Sequence, residues 1–227
     1  PVANVSVYGS YSVTYLPSAG DQFSSLTATT QTLRPERFNN WETGAKVELA
    51  RGLSLTTALY RLDRNNSTAR DPNNPAITVQ TGSQRTNGFE AALNGSISRR
   101  WQIAGGYATQ DAFVRRATAA AAVGSKVAIV PGHTFSLWNN YKLVSRIGVG
   151  LGVIHQSAMW AGIDNTVRLP SFTRGDAALF YTINERLRLQ ANVENVLNSA
   201  YYPTAHSNNN ILPGSPRAAR LGLVARF

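Results

Sequence analysis

The sequence predicts an all-β fold, an antiparallel up-and-down transmembrane β-barrel, with about ten strands in its 227 residues. Three observations predict this class. Apolar and polar residues alternate with a period of two in segment after segment, the connections between segments are alternately short and long, and aromatic residues lie near segment ends. A helical membrane protein is excluded, because no window approaches the roughly 18 consecutive apolar residues that a membrane helix needs.

The first four segments show the alternation directly. In the first, Val5, Val7 and Val13 share one face, and Ser6 and Ser12 share the other. The second segment covers residues 41–49, the third begins at residue 53, and the fourth runs over residues 77–98. Because successive side chains of a strand point to opposite sides, each segment has one apolar and one polar face.

Six further segments continue the pattern to the last residue. They cover residues 101–113, 133–143, 147–156, 172–183, 187–202 and 217–227. The ninth segment is among the clearest, since Leu187 and Leu189 alternate with Arg188 and Gln190. Polar side chains therefore occupy one whole face of a predicted central strand.

The connections separate a membrane barrel from a soluble β-sandwich, which the alternation alone does not. Short connections are predicted at residues 51–52, 98–100, 144–146 and 184–185. Long connections are predicted at residues 16–40, 64–76, 114–132, 159–170 and 203–216. This rhythm is typical of barrels with short periplasmic turns and long outer loops, with the polar face lining the lumen.

Aromatic residues at the predicted strand ends favour the same placement, because amphipathic rings sit at membrane–water interfaces. Trp101 and Phe227 are predicted on the periplasmic side. The outer side is predicted to carry Tyr15, Trp41, Trp160, Tyr201 and Tyr202.

Charge and composition exclude several classes of site. The formal net charge is +10, but the basic residues are scattered, so no nucleic-acid surface is predicted. The chain has no cysteine, which excludes disulfides and thiolate metal sites. His133, His155 and His206 lie on separate segments without ligand spacing, so no metal site is predicted.

Several motifs together resemble the C-terminal barrel of TonB-dependent ferric-siderophore receptors. They are the first strand at residues 5–12, Arg34-Pro35-Glu36 before Trp41-Glu42-Thr43-Gly44-Ala45-Lys46, the segment 60–66, Gly88-Phe89-Glu90, and Asn192-Val193-Glu194-Asn195-Val196-Leu197-Asn198 with Tyr201-Tyr202. The end of the chain resembles the signal read by the outer-membrane assembly machinery, carried by Arg220, Gly222, Ala225 and Phe227. Ala225 is smaller than the apolar residue usual there.

The resemblance implies a fold and a function. Family members form a roughly 22-stranded barrel plugged by an N-terminal domain, bind a ferric siderophore outside and import it with energy delivered through TonB. Residues 1–227 are then expected to be the C-terminal part of such a barrel in the outer membrane of a Gram-negative bacterium, with the plug and first strands outside this chain. The expected partners are the siderophore, TonB through the plug, the assembly machinery, and lipid with lipopolysaccharide. No cofactor is expected.

Outer-loop residues are the candidate ligand contacts, because cations and aromatic rings suit an anionic, aromatic iron chelate. They are Arg115, Arg116, Trp160, Arg168, Tyr202 and His206. Iron would arrive already chelated, so these residues are not predicted to bind it directly.

Other functions stay open at this point. An outer-membrane hydrolase such as a protease or phospholipase would need a positioned catalytic set, and no such motif surrounds the three histidines. A passive pore or adhesin and a soluble binding module are further alternatives. None of these accounts for the motifs from end to end, so no enzyme is predicted.

Overall fold

A computed structural model describes residues 4–17, 33–71, 73–74, 76–118 and 120–226. The described residues form fourteen strands: β1 (Val5–Leu16), β2 (Glu36–Ala50), β3 (Leu53–Arg70), β4 (Thr78–Ser96), β5 (Trp101–Arg116), β6 (His133–Lys142), β7 (Ile147–Gln156), β8 (Met159–Trp160), β9 (Arg168–Leu169), β10 (Phe172–Thr182), β11 (Leu187–Glu194), β12 (Thr204–Ser207), β13 (Asn210–Leu212) and β14 (Ala218–Ala225). In this part of the chain, no helix has the length and apolar character to cross a membrane.

Ten of these strands form one antiparallel sheet in the order β1-β2-β3-β4-β5-β6-β7-β10-β11-β14. Each strand of the sheet therefore pairs with the strands that come before and after it in the sheet along the chain, and the chain reverses direction at every connection. The described parts of β1 and β14 form the two edges of the sheet. The predictions of ten strands, of up-and-down order and of alternating connections are confirmed, with tight turns at residues 51–52, 97–100, 143–146 and 183–186.

Several predicted boundaries are wrong. Strand β2 begins at Glu36 rather than residue 41, and β3 extends to Arg70, so its connection to β4 is only residues 71–77. Strand β11 ends at Glu194 rather than residue 202. Asn195 ends the strand because it adopts the left-handed conformation, with φ 52°, and its side chain bonds the backbone of Ser199 and Ser215.

The apolar face of the sheet is exposed, as the wall of a membrane barrel requires. We define this face by Val7, Trp41, Leu59, Leu151 and Leu221, which the strand register aligns on one side. Val7 and Leu221 are 77% and 78% exposed. An apolar surface that runs across ten strands is far larger than the patches that water-soluble monomers expose.

The opposite, polar face carries large side chains that lie over glycines of adjacent strands. The ring of Tyr8 covers Gly44, where an added Cβ would come within 2.6 Å of the ring, and its hydroxyl donates to Glu42 at 2.7 Å. Tyr60 covers Gly88 in the same way. These glycines leave the room that the tyrosine rings need beside the strand backbone.

Aromatic residues border the apolar face at both ends. Tyr11, Tyr15 and Trp41 lie at the end where the long loops emerge, and Trp101 and Tyr141 lie at the short-turn end. The predicted position at the outer membrane interface is wrong for three residues. Trp160 and Tyr202 lie in the segments between the strands of the large sheet, and Tyr201 is only 7% exposed and packs on Phe172. Phe227 is outside the described residues.

The last strand places the predicted assembly signal at the sheet edge. Ala225 lies opposite Leu187 on the apolar face, and Gly222 lies opposite Gln190. Arg220 lies on the polar face, on the opposite side from Ala225, and pairs with Glu194 at 3.4 Å. The signal itself stays a prediction.

Candidate ligand-binding site

The long loops fold over the polar face at their end of the sheet. Val114 of β5 is fully buried there by Ala121 and Ile163, which come from two different loops. The small-residue segment 117–122 forms no helix in its described part but an isolated bridge between Thr118 and Ala121; Ala119 is outside the described residues. Ala121 packs on Val114, so the loop lies close to the sheet at this point.

Two short hairpins in the loops, β8–β9 and β12–β13, pack against each other. Their contact is built from Met159, Ala161 and Leu169 of the first hairpin region, with Ile211 of the second and Ile129 of a third loop. The backbone N–H of Ile129 also donates to the carbonyl of Trp160 at 2.8 Å. The three loops therefore form one packed unit.

Polar contacts fasten the same loops together. Asn165 accepts from the N–H of Lys126 at 2.6 Å and donates to the Lys126 carbonyl at 2.9 Å. Asp164 accepts from Asn208 at 2.9 Å and from Thr166 at 2.7 Å. Partial burial by itself raises the pKa of Asp164, but these hydrogen bonds outweigh it and lower the pKa below its ordinary 3.8.

The lowered pKa predicts that the Asp164–Asn208 contact weakens in acid. Because the folded pKa lies below the unfolded value, the contact contributes fully above pH 3.8 and is lost as the pH falls through the folded pKa. We expect hydrogen-exchange protection of β8, β9, β12 and β13 to fall below pH 3.8 after correction for intrinsic exchange. In Asp164→Asn this extra loss should disappear, and an equal loss in both proteins would contradict the prediction.

A cavity of about 200 Å³ lies between these loops and the polar face. It is lined by residues that include Arg64, Asp71, Gln84, Ile163 and His206. Arg64 and Asp71 contribute one charge of each sign, Ile163 and alanines supply apolar wall, and His206 lies at the exposed rim. The wall therefore combines charged groups with apolar surface, and Arg64 is its contact for an anionic group.

A buried carboxylate holds Arg64 in place. Glu36 is 2% exposed, and its Oε2 accepts from Nε and Nη2 of Arg64 at 2.9 and 2.6 Å. Its Oε1 accepts from the N–H and the hydroxyl of Thr68 at 2.7 and 2.8 Å. The pair joins β2 to β3 and fixes the guanidinium at the edge of the cavity.

A second network attaches the last loop to the sheet. Arg174 donates to Asp176 at 2.8 Å and to the hydroxyl of Tyr201 at 3.0 Å. Asp176 also accepts from the backbone N–H of Asn195 at 2.8 Å. The ring of Tyr201 lies over Gly214, where a Cβ would come within 2.2 Å of it. This network therefore fixes Asn195 and Tyr201 against Arg174 and Asp176 of β10.

The structure brings some of the predicted ligand contacts together. Trp160 and Arg168 face each other across the β8–β9 hairpin, with the guanidinium 5.9 Å from the ring centroid. Ala161, next to Trp160, lines the cavity together with His206. Tyr202 is exposed in the last loop, and no hydrogen bond or ring contact joins it to the other predicted residues, all of which are described.

Arg115 and Arg116 lie in strand β5 rather than in a loop, because that strand is longer than predicted. Arg115 approaches Asp63 at 3.8 Å, together with Arg61 at 3.4 Å and Arg85 at 2.5 Å. Arg61 also stacks on Trp41, which places this group on the apolar face. Arg115 therefore points away from the cavity.

Sequence reasoning missed Arg64 and Glu36 as parts of the site. Both lie in the family-like motifs, but the motifs themselves do not indicate a binding role for either residue. Counting by twos could have placed them on the polar face, because Glu36 has the same parity as Glu42 in β2 and Arg64 has the same parity as Thr56 in β3. Among the described residues, no three His, Asp or Glu side chains are grouped so that they could hold a metal.

A sequence profile described as "TonB dependent receptor-like, beta-barrel" matches residues 1–196. The chain is 34% identical over 237 residues to the catecholate siderophore receptor Fiu of Escherichia coli K12, which covers 99% of the chain and 31% of Fiu. It is 32% identical over 235 residues to the probable TonB-dependent receptor BfrD of Bordetella pertussis, covering 97% and 31%.

Solved structures agree in fold. The closed form of the ferric-catecholate import receptor Fiu from E. coli K12 superposes with a TM-score of 0.82 at 30% identity, covering 99% of the chain and 33% of that structure. The siderophore receptor PiuA from Acinetobacter baumannii gives 0.86 at 26% identity, covering 100% and 34%. The chain spans about a third of the length of the relatives that it matches.

Proposed function

This chain belongs to the TonB-dependent receptor family, in the β-barrel part, and we propose that it forms ten strands and the outer loops of a receptor for uptake of a ferric siderophore. Proteins of this family are receptors and transporters, not enzymes, so the hydrolase alternative is set aside. The proposal is supported by the loop unit over the polar face, in which the Trp160–Arg168 pair lies next in sequence to Ala161, a residue of the cavity wall that Arg64 borders; Trp160 and Arg168 do not line the cavity themselves.

The chemistry of these residues suits a ferric catecholate. Such a chelate is anionic and displays aromatic rings, so Trp160 supplies a stacking surface, and Arg168 and Arg64 supply positive charge. His206 at the rim and Tyr202 farther out are secondary contacts in this proposal. Arg115 and Arg116 contribute to the positive field around the loops rather than to direct contact.

The outer membrane of a Gram-negative bacterium is the proposed location. TonB would act through a plug outside residues 1–227, and the assembly machinery would read the C-terminal strand. The exposed apolar face supports contact with lipid. Arg61, Arg85 and Arg115 surround the single carboxylate of Asp63 on that face at the loop end, and this excess positive charge supports contact with lipopolysaccharide phosphates.

Loss of the Trp160–Arg168 pair is expected to weaken binding of a ferric catecholate by about tenfold, which corresponds to roughly 1.4 kcal/mol. The measurement is binding and uptake of radioactive iron as its enterobactin complex by cells that carry the full receptor with Trp160→Ala and Arg168→Ala. The matched control is Trp41→Ala with Arg61→Ala, a similar stacked pair at 5.7 Å on the apolar face. Equal affinity in both double variants would contradict the proposed site.

A further inference from the structure

A basic pocket lies at the short-turn end of the polar face, far from the loops. It is a cavity of about 260 Å³ between β5, β6, β7, β10 and β11. Five of its lining residues are cations, namely Arg99, Arg100, Lys142, Arg146 and Arg188, and no carboxylate is among the lining residues. Five positive charges around one small cavity repel each other unless an anion enters it.

None of the five cationic side chains makes an ion pair with another described residue. This distinguishes them from Arg64, Arg85 and Arg174, which each have a carboxylate partner. The pocket is therefore an uncompensated site on a sheet that otherwise pairs its partly buried arginines.

Arg188 is oriented in advance for an anion. Its guanidinium stacks on the ring of Phe180, 4.4 Å from the centroid, which removes much of its freedom. Its Nε is buried and has no hydrogen-bond partner among the described residues. A buried donor without a partner costs free energy, so the pocket gains stability when a ligand accepts a hydrogen bond there.

We propose that this pocket binds Asp or Glu side chains of a polypeptide segment that occupies the barrel lumen and belongs to the same receptor outside residues 1–227. The inference rests on the proposed function. The pocket opens on the polar face, which faces the lumen in a barrel, and barrels of about 22 strands in transporters have a plugged lumen. About two thirds of the relatives' length lies outside the matched region, which is enough polypeptide to fill the lumen.

Composition and position favour carboxylate side chains over the transported ligand. Phe180 is the one aromatic residue among the described lining residues, and Arg188 already covers its ring, so the pocket offers cations but no free stacking surface for a chelate with aromatic rings. The pocket also lies at the opposite end of the strands from the loop cavity. Bidentate pairing with Arg146 and Arg188 would hold such a segment to the wall.

Lys142 makes the proposal testable, because a carbodiimide joins a lysine amine to a carboxylate only when the two are in contact. Outer membranes that contain the full receptor would be treated with carbodiimide, digested and analysed by mass spectrometry. Lys126 of a loop and Asp111 of β5 are in direct contact and serve as the internal positive control. We expect a link from Lys142 to an Asp or Glu outside residues 1–227.

Variants show whether the pocket's charge is responsible. In Arg146→Gln with Arg188→Gln, the yield of the Lys142 link should fall at least fivefold, while the Lys126–Asp111 link is unchanged. Arg51→Gln with Arg186→Gln removes the same charge from turns that do not line the cavity and should leave the yield unchanged.

Three outcomes would overturn the proposal: no Lys142 link despite the control link, links only to carboxylates of this chain such as Glu185, or the same yield in both double variants. Iron uptake by the same cells separates this proposal from the proposed function. Uptake without the Lys142 link removes only the pocket proposal, and a link without uptake removes only the transport assignment.

Discussion

Replacement of Glu36 by alanine is expected to lower the free energy of unfolding by about 3 kcal/mol. Glu36 is almost fully buried and accepts four hydrogen bonds, two of them from Arg64. The variant leaves a partly buried guanidinium without its carboxylate and Thr68 without an acceptor. Because the Arg64 side chain is 31% exposed, water restores part of the loss, which places the value at the low end for a broken buried pair.

Urea unfolding of the receptor in phospholipid vesicles, followed by tryptophan fluorescence, measures this change. Glu36→Gln keeps an acceptor for Thr68 and should lose less than the alanine variant. Glu185→Ala, in an exposed turn, should change stability by less than about 0.5 kcal/mol. If Glu36→Ala and Glu185→Ala lower the free energy of unfolding equally, the Glu36 carboxylate has no structural role at the loop end.

Thr57→Arg is expected to destabilise the barrel in a bilayer by about 2–4 kcal/mol, while Thr56→Arg is tolerated. The two threonines are adjacent in β3 and near the middle of the proposed span. The register places Thr57 opposite Ala45 on the apolar face and Thr56 opposite Lys46 on the polar face. An arginine is costly in hydrocarbon but is solvated in a polar lumen.

The measurement is the free energy of insertion and folding into phospholipid vesicles, compared between the two variants and the unchanged receptor. Because the residue type and the strand are the same, differences in β-propensity largely cancel. Equal destabilisation by both substitutions, or a larger effect at Thr56, would contradict the assignment of the two faces.

The architecture could be predicted from the sequence because the bilayer imposes a simple rule on strands. Lipid on one side and a polar interior on the other give a period of two, as in Val5, Val7 and Val13 against Ser6 and Ser12. Tight turns such as residues 51–52 then mark where each hairpin reverses. Because these signals are local in the sequence, they predict the number of strands and their order directly.

The details of the loop end could not be predicted because they depend on contacts between distant segments. Strand β11 ends at Glu194 because the next residue, Asn195, bonds to Asp176 and Ser215, which lie 19 and 20 residues away. The sequence predicts Arg115 in a loop, but β5 continues past Phe113 and directs the Arg115 side chain to Asp63. Trp160 and Arg168 are each predicted to contact the ligand, but their pairing is not predicted. The pairing depends on β8 and β9, which have two residues each and are too short to show alternation.

The most direct test of the central claim, that this sheet is a wall of an outer-membrane barrel, is spin-label accessibility along β3 in the full receptor. The chain contains no cysteine, so single cysteines at residues 54–59 can be labelled against a clean background within it. The account predicts a period of two in native membranes. Labels at 55, 57 and 59 should be accessible to oxygen from the lipid phase, and labels at 54 and 56 should be more accessible to a water-soluble nickel complex. Absence of this alternation, or nickel access at 55, 57 and 59, would contradict the claim.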